Sequence, residues 1–154
     1  MRIGFFDMKR AVRSSKEAAK VTELYQGEVK RIRDSLAQKR KELEQLRADF
    51  TAKRQSMSPQ EGFDKQEKII SLEKEIQRGA QDSQEALKRK NAQLSAVLME
   101  RLRRVVEEVG RAEGYSVVLD KDSSLVMFSD EKADITERVI SKFDSQKAAS
   151  PGAK

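Results

Sequence analysis

An apolar repeat beginning at Ala18 constrains this chain more than any other feature. Steps of four and three residues from there give Ala18, Thr22, Tyr25, Val29, Ile32, Leu36, Lys39, Leu43, Leu46 and Phe50, and eight of these ten are apolar. A seam with a mean period of 3.5 residues, held over more than four heptads, is the pattern of a coiled-coil helix. The spacing predicts a helix from about residue 15 to about 55, roughly 60 Å long at 1.5 Å per residue. Its partner follows at once. Ser58-Pro59-Gln60-Glu61 supplies a capping serine, a proline at the first helical position and a glutamate at the third. That combination opens a second helix, so Gln55–Met57 is the bend. Two long helices joined by so short a link are predicted to lie antiparallel.

The second helix is predicted from about Pro59 to about Ala112. Its seam changes along its length. Phe63, Ile69, Leu72 and Ile76 lie near the bend, and then come Ala80, Ser83, Leu87 and Lys90, with Gly79 beside them. Small and polar seam residues bury little apolar area, and a glycine inside a helix costs up to about 1 kcal/mol against alanine. The seam becomes dense again at Leu94, Val97, Leu98, Leu102, Val105, Val106 and Val109. The expectation is a firmly packed base and a pliable outer part, with Gly79 as the candidate hinge. This helix outruns its partner, so its last turns need something else to pack against.

Beyond it, Gly110 and Gly114 are predicted to stop the helix. Tyr115–Asp120 and Leu125–Phe128 read as strands of a hairpin turning at 121–124. Asp134-Ile-Thr-Glu137 reads as a capping box opening a short helix through Phe143, followed by a loose tail over 145–154. Arg2–Phe6 reads as a strand, with Asp7 or Ser14–Ser15 opening the helix after it. The fold class is therefore mainly α with a small β body: a helical hairpin over 15–112, its tip near 55–58, inserted into a β-rich head made of 1–14 and 113–144. So small a head is marginal alone. Without cysteine for staples it is predicted to be completed by association, through Ile3, Phe5, Val117, Leu119, Leu125 and Met127.

Composition narrows the chemistry. There is no Cys and no His, which removes thiolate sites, the usual general base and the commonest zinc ligand. Asp120, Asp122, Asp130, Glu131 and Asp134 crowd together without a calcium-loop pattern, and turn and cap roles account for them. No glycine-rich phosphate loop is present, and the serines have no histidine to activate them. No catalytic residue, cofactor or metal is assigned. The net charge of +6 is uneven: residues 9–54 carry 14 basic and seven acidic groups, and the rest is nearly balanced. The densest basic positions are Lys30, Arg31, Arg33, Lys39, Arg40, Lys41, Lys53 and Arg54. They form either a solvated face or a surface drawing anionic partners. Phe50, Met57 and Phe63 near the bend either staple the tip to itself or offer adaptable apolar contacts. The start, Met1–Asp7, is too short and too soon acidic for a signal peptide. Taken literally this gives a cytoplasmic chain; a mature form carrying an added Met fits equally.

Three stretches carry a resemblance: the start Ile3-Gly-Phe-Phe-Asp-Met8, the stretch Val105–Asp120 with Glu113-Gly-Tyr-Ser-Val-Val-Leu-Asp120, and Asp134-Ile-Thr-Glu-Arg-Val-Ile140. Together they resemble the Skp/OmpH-like family of periplasmic chaperones over nearly the whole chain. The resemblance implies a homotrimer whose subunits each give three strands to a β barrel, with helical tentacles around a cavity. It further implies ATP-independent holding of unfolded outer-membrane β-barrel proteins in the periplasm, with contact to anionic lipid or lipopolysaccharide as a further possibility. The rival reading is a cytoplasmic basic coiled-coil protein that binds nucleic acid or acts as a scaffold. The seven acids within the basic segment and the lack of stacking aromatics beside its basic runs count against it.

Overall fold

The protein is described by a computed structural model that covers residues 1–122 and 126–146. The elements are β1 (Ile3–Phe6), α1 (Met8–Ser14), α2 (Lys16–Lys53), α3 (Pro59–Ala112), β2 (Val117–Asp120) and α4 (Thr136–Ser145), with single 3-10 turns at Arg54–Ser56 and Glu131–Ala133. The chain is mostly helical, with a small parallel sheet of two strands. It divides into two compact units. One is Met1–Leu24 together with the chain from Ala92 on; the other is Tyr25–Asn91.

The first unit holds the larger core. Leu98, Leu102, Val105 and Val109 recur at helical spacing on α3 and are buried with Ile135, Val139, Ile140 and Phe143. The dense end of the second long seam is thus covered by α4, and the unit takes in more of both long helices than the predicted boundaries at 15 and 112. Phe6, Ala11 and Ala18 close the same cluster from the N-terminal side. Asp7 and Ser15 both act as caps, because two helices start here rather than one. Asp7 Oδ1 accepts from the Arg10 N–H at 2.8 Å to open α1, and Ser15 Oγ accepts from the Ala18 N–H at 3.2 Å to open α2.

Three expectations are corrected in this unit. First, β2 forms no hairpin with Val126–Phe128. Those three residues are irregular, while Leu125 and Ser123-Ser124 lie outside the described residues. Instead β2 pairs with β1 in parallel, Ile3 against Val117 through Phe6 against Asp120. The Ser116 N–H donates to Arg2 O at 2.8 Å and the Lys121 N–H to Phe6 O at 2.9 Å, tying both ends of β2 to β1. Phe6 and Val118 lie against the core, which fixes the register, since a one-residue slip would expose them. Second, Gly110 does not stop α3. It is buried within the helix, where a Cβ would stand 3.3 Å from Val118 Cγ2, so glycine lets β2 approach. Gly114, at φ +72°, makes the stop, with the Tyr115 N–H donating back to Gly110 O at 2.9 Å. Third, Asp134–Glu137 is not a reciprocal capping box. Asp134 Oδ1 accepts from the Thr136 N–H at 2.8 Å, but Glu137 pairs with Arg10 instead. Thr136, fully buried, accepts the Asp7 N–H at 2.9 Å, so this corner fastens the chain's start to α4.

In the second unit the box at Ser58 forms as read: the Ser58 N–H donates to Glu61 at 2.9 Å and the Glu61 N–H to Ser58 Oγ at 3.2 Å. The pairs Lys39–Glu75, Arg47–Glu73 and Asp49–Lys65 descend α3 as they ascend α2. Apolar burial is thin: Ile69, Leu72 and Ile76 are the buried apolar residues of this unit.

Candidate functional site

Side chains alternate faces along a strand. The parallel register therefore puts Ile3, Phe5, Val117 and Leu119 on one face of the sheet, opposite the core-facing Phe6 and Val118. Ile3, Val117 and Leu119 are 38%, 44% and 42% exposed, and Phe5 is half-buried. Met127 and its neighbour Phe128, which the sequence reading did not single out as a contact residue, are almost fully exposed. Leu125 lies outside the described residues. The far edge of β1 is occupied, with the Ile135 N–H donating to Phe5 O at 2.8 Å. The far edge of β2 has no strand beside it among the described residues. An apolar sheet face next to an open strand edge is a surface built to be covered.

The eight basic positions expected from the sequence split evenly. Lys30 pairs with Asp34 at 2.6 Å, Arg31 with Glu28 at 2.7 Å, Lys53 with Asp49 at 2.7 Å, and Lys39 with Glu75. Among the described residues Arg33, Arg40, Lys41 and Arg54 form no ion pair. Arg54 lies 5.9 Å from the Phe50 ring centre. Asp49 accepts from both Lys53 and Lys65, and these ammonium groups hold its carboxyl down at about 2. Beside it Phe50, Met57 and Phe63 line an open hollow of about 390 Å³ with Arg54, Pro59 and Gly62. Phe63 is 58% exposed, so stapling leaves apolar surface for contact.

Gly79 faces Leu36, and a Cβ there would meet Leu36 Cδ2 at 3.6 Å, an ordinary contact. Gly79→Ala is therefore expected to fit and to raise helix stability by up to about 1 kcal/mol. Thermal unfolding followed by circular dichroism checks it, and a lower melting temperature would show that alanine does not fit. Among the described residues no helix is long and apolar enough to cross a membrane, and no acidic cluster is arranged to hold a metal ion.

A family model described as "Outer membrane protein (OmpH-like)" matches residues 2–143. The chain belongs to the OmpH-like family. Among OmpH-like proteins of known structure, a candidate outer membrane chaperone from Caulobacter crescentus CB15 superimposes with a TM-score of 0.83. It is 21% identical, over 92% of this chain and 83% of that one, and so speaks for the fold. An uncharacterised protein of Aquifex aeolicus (strain VF5) is 28% identical over 90% of this chain and 83% of its own length. The OmpH-like match takes in both the exposed sheet face and the basic positions.

Proposed function

We propose that this OmpH-like protein is an ATP-independent holdase of the periplasm, which keeps unfolded outer-membrane β-barrel proteins soluble until they insert. The observation that carries the reading is the uncovered apolar face of Ile3, Phe5, Val117 and Leu119 beside the open edge of β2. Copies of the chain cover that face on one another as a homotrimer, closing a barrel from the head strands. The helical hairpin of each copy then borders a shared cavity. An unfolded barrel protein exposes alternating apolar and polar segments and aggregates readily. Many weak contacts in the cavity hold it loosely, and their number makes the complex tight. The unpaired cations Arg33, Arg40, Lys41 and Arg54 draw acidic clients and anionic lipid surfaces over a screening length of about 8 Å. Phe50, Met57 and Phe63 add soft contacts at the tip, and Gly79 lets the arms adapt. No nucleotide is consumed.

The test pairs native mass with light scattering from a diluted, unfolded barrel protein. The wild type is expected to run as a trimer and to suppress scattering. Leu119→Glu is expected to run as a folded monomer and to lose most of the suppression. A wild type that stays monomeric at micromolar concentration overturns the assembly. A trimer that leaves scattering unchanged overturns the holdase.

A further inference from the structure

Between α2 and α3 in the second unit lies a groove of about 280 Å³. Val29, Ile32 and Leu36 line it from α2, and Ala80, Ser83 and Leu87 from α3. It exists because the α3 seam is small here: Ala80 and Ser83 leave space where Ile69, Leu72 and Ile76 fill it nearer the tip. Its rim is cationic on one side. Arg33 and Arg40 both border it, seven residues apart and so about 10 Å apart along the helix axis. Both are exposed, and among the described residues neither is neutralised by a carboxylate. On the other side Ser83 and Gln84 present a hydroxyl and a carboxamide.

We propose that this groove is a docking site for an extended polypeptide segment in which aliphatic and acidic residues alternate. The inference rests on the holdase reading and names the kind of client sequence the site takes. In an extended segment successive side chains point to opposite sides. Aliphatic side chains at every second position enter between Ile32, Leu36 and Leu87, while carboxylates at the intervening positions face outward, within reach of the long arginine side chains that rise from the rim. The two guanidiniums, on flexible stems, meet those carboxylates in charge-assisted hydrogen bonds. The main chain of the segment, with its own donors and acceptors, is answered by Ser83 and Gln84. A fatty acid would satisfy the apolar floor but brings a single carboxylate, whereas the rim offers two guanidiniums spaced along the helix, which favours a peptide with repeated acidic residues.

The experiment uses the full chain and a fluorescent peptide of alternating valine and aspartate, read by anisotropy. A second peptide carries asparagine in place of each aspartate. The wild type is expected to bind the acidic peptide about tenfold or more tightly than the asparagine peptide. The double variant Arg33→Gln, Arg40→Gln is expected to erase that preference, and so is raising the salt. Ala80→Leu, which fills the floor, is expected to weaken both peptides alike; unchanged helical content confirms that these variants remain folded. Equal affinity of the wild type for the two peptides overturns the proposal, as does a preference that survives in the double variant. Displacement of the acidic peptide by dodecanoate at lower concentration than by unlabelled peptide also overturns it, in favour of an anionic amphiphile. Suppression of barrel-protein scattering by the same wild-type preparation is measured alongside. If suppression holds while the peptide preference is absent, the groove assignment fails and the holdase reading stands.

Discussion

Phe143→Ala is expected to be the most damaging single substitution in this protein. Phe143 is completely buried at the centre of the cluster formed by α3 and α4. Truncating a buried phenylalanine to alanine costs about 3–5 kcal/mol in lost transfer energy and cavity. The ring also supports an ion pair. The Arg101 guanidinium sits 4.8 Å from the ring centre and reaches Glu17, itself almost fully buried, at 3.3 Å. Without the ring Arg101 loses its platform, and Glu17 is less securely partnered in its buried site. Since domains have only about 5–15 kcal/mol in hand, the melting temperature is expected to fall by roughly 10 °C or more. Phe63→Ala is the control: its ring is largely exposed, and a change within about 0.5 kcal/mol is expected. Equal effects of the two substitutions in urea unfolding would show that the α4 cluster does not carry the stability of the first unit.

Asp144→Ala is expected to be nearly as costly, for a different reason. Its carboxylate, on α4, caps the start of α2 from the far end of the chain. It accepts from Ser15 Oγ at 2.6 Å, from the Lys16 N–H at 3.0 Å and from the Glu17 N–H at 3.1 Å. Removing it leaves the buried Ser15 hydroxyl short of a partner and two helix-start N–H groups open, a loss of about 2–3 kcal/mol. Burial pushes the Asp144 carboxyl up, but those hydrogen bonds and the Lys16 charge outweigh it and hold it below the usual carboxylate range. Asp134 is lowered too: burial raises it, and its bonds from Thr136 and the Lys121 charge prevail. A carboxyl lowered on folding adds stability above its unfolded value, near 4, and that stability is lost as pH falls through the folded value. Urea midpoints are therefore expected to drop as pH goes below about 4, with a shallower drop for Asp144→Asn. The same slope in wild type and variant would remove Asp144 from the account.

Much of the fold could be read from local pattern. The seam from Ala18 to Phe50 and the box at Ser58 mark both long helices closely, because heptad period and capping are sequence-local effects. What could not be read depends on partners far along the chain. For β2 a hairpin with its neighbour in sequence is the nearest local solution, yet its mate is β1, more than a hundred residues earlier. Gly110 looked like a stop; it serves Val118 approaching from outside the helix. Of the candidate contacts, Ile3, Phe5, Val117 and Leu119 do share a face, since strand alternation is enough to predict that. Which basic residues would be free was legible only in part. Lys53 pairs with Asp49 four residues earlier on its own helix, a spacing that can be read locally. Lys39 is taken up by Glu75 of the other helix while Arg33 and Arg40 have no such partner, and only the packing of α2 on α3 decides that.

The fastening of the chain's beginning by its end has a temporal consequence. Asp7, Ser15 and the strand at Ile3–Phe6 all wait for partners between Ile135 and Asp144. A polypeptide delivered from its N-terminus therefore has no way to close its first segment until nearly the whole length has arrived. Such late closure leaves the first segment open while the rest of the polypeptide is still being made, and lets it lock shut only once the last helix has formed.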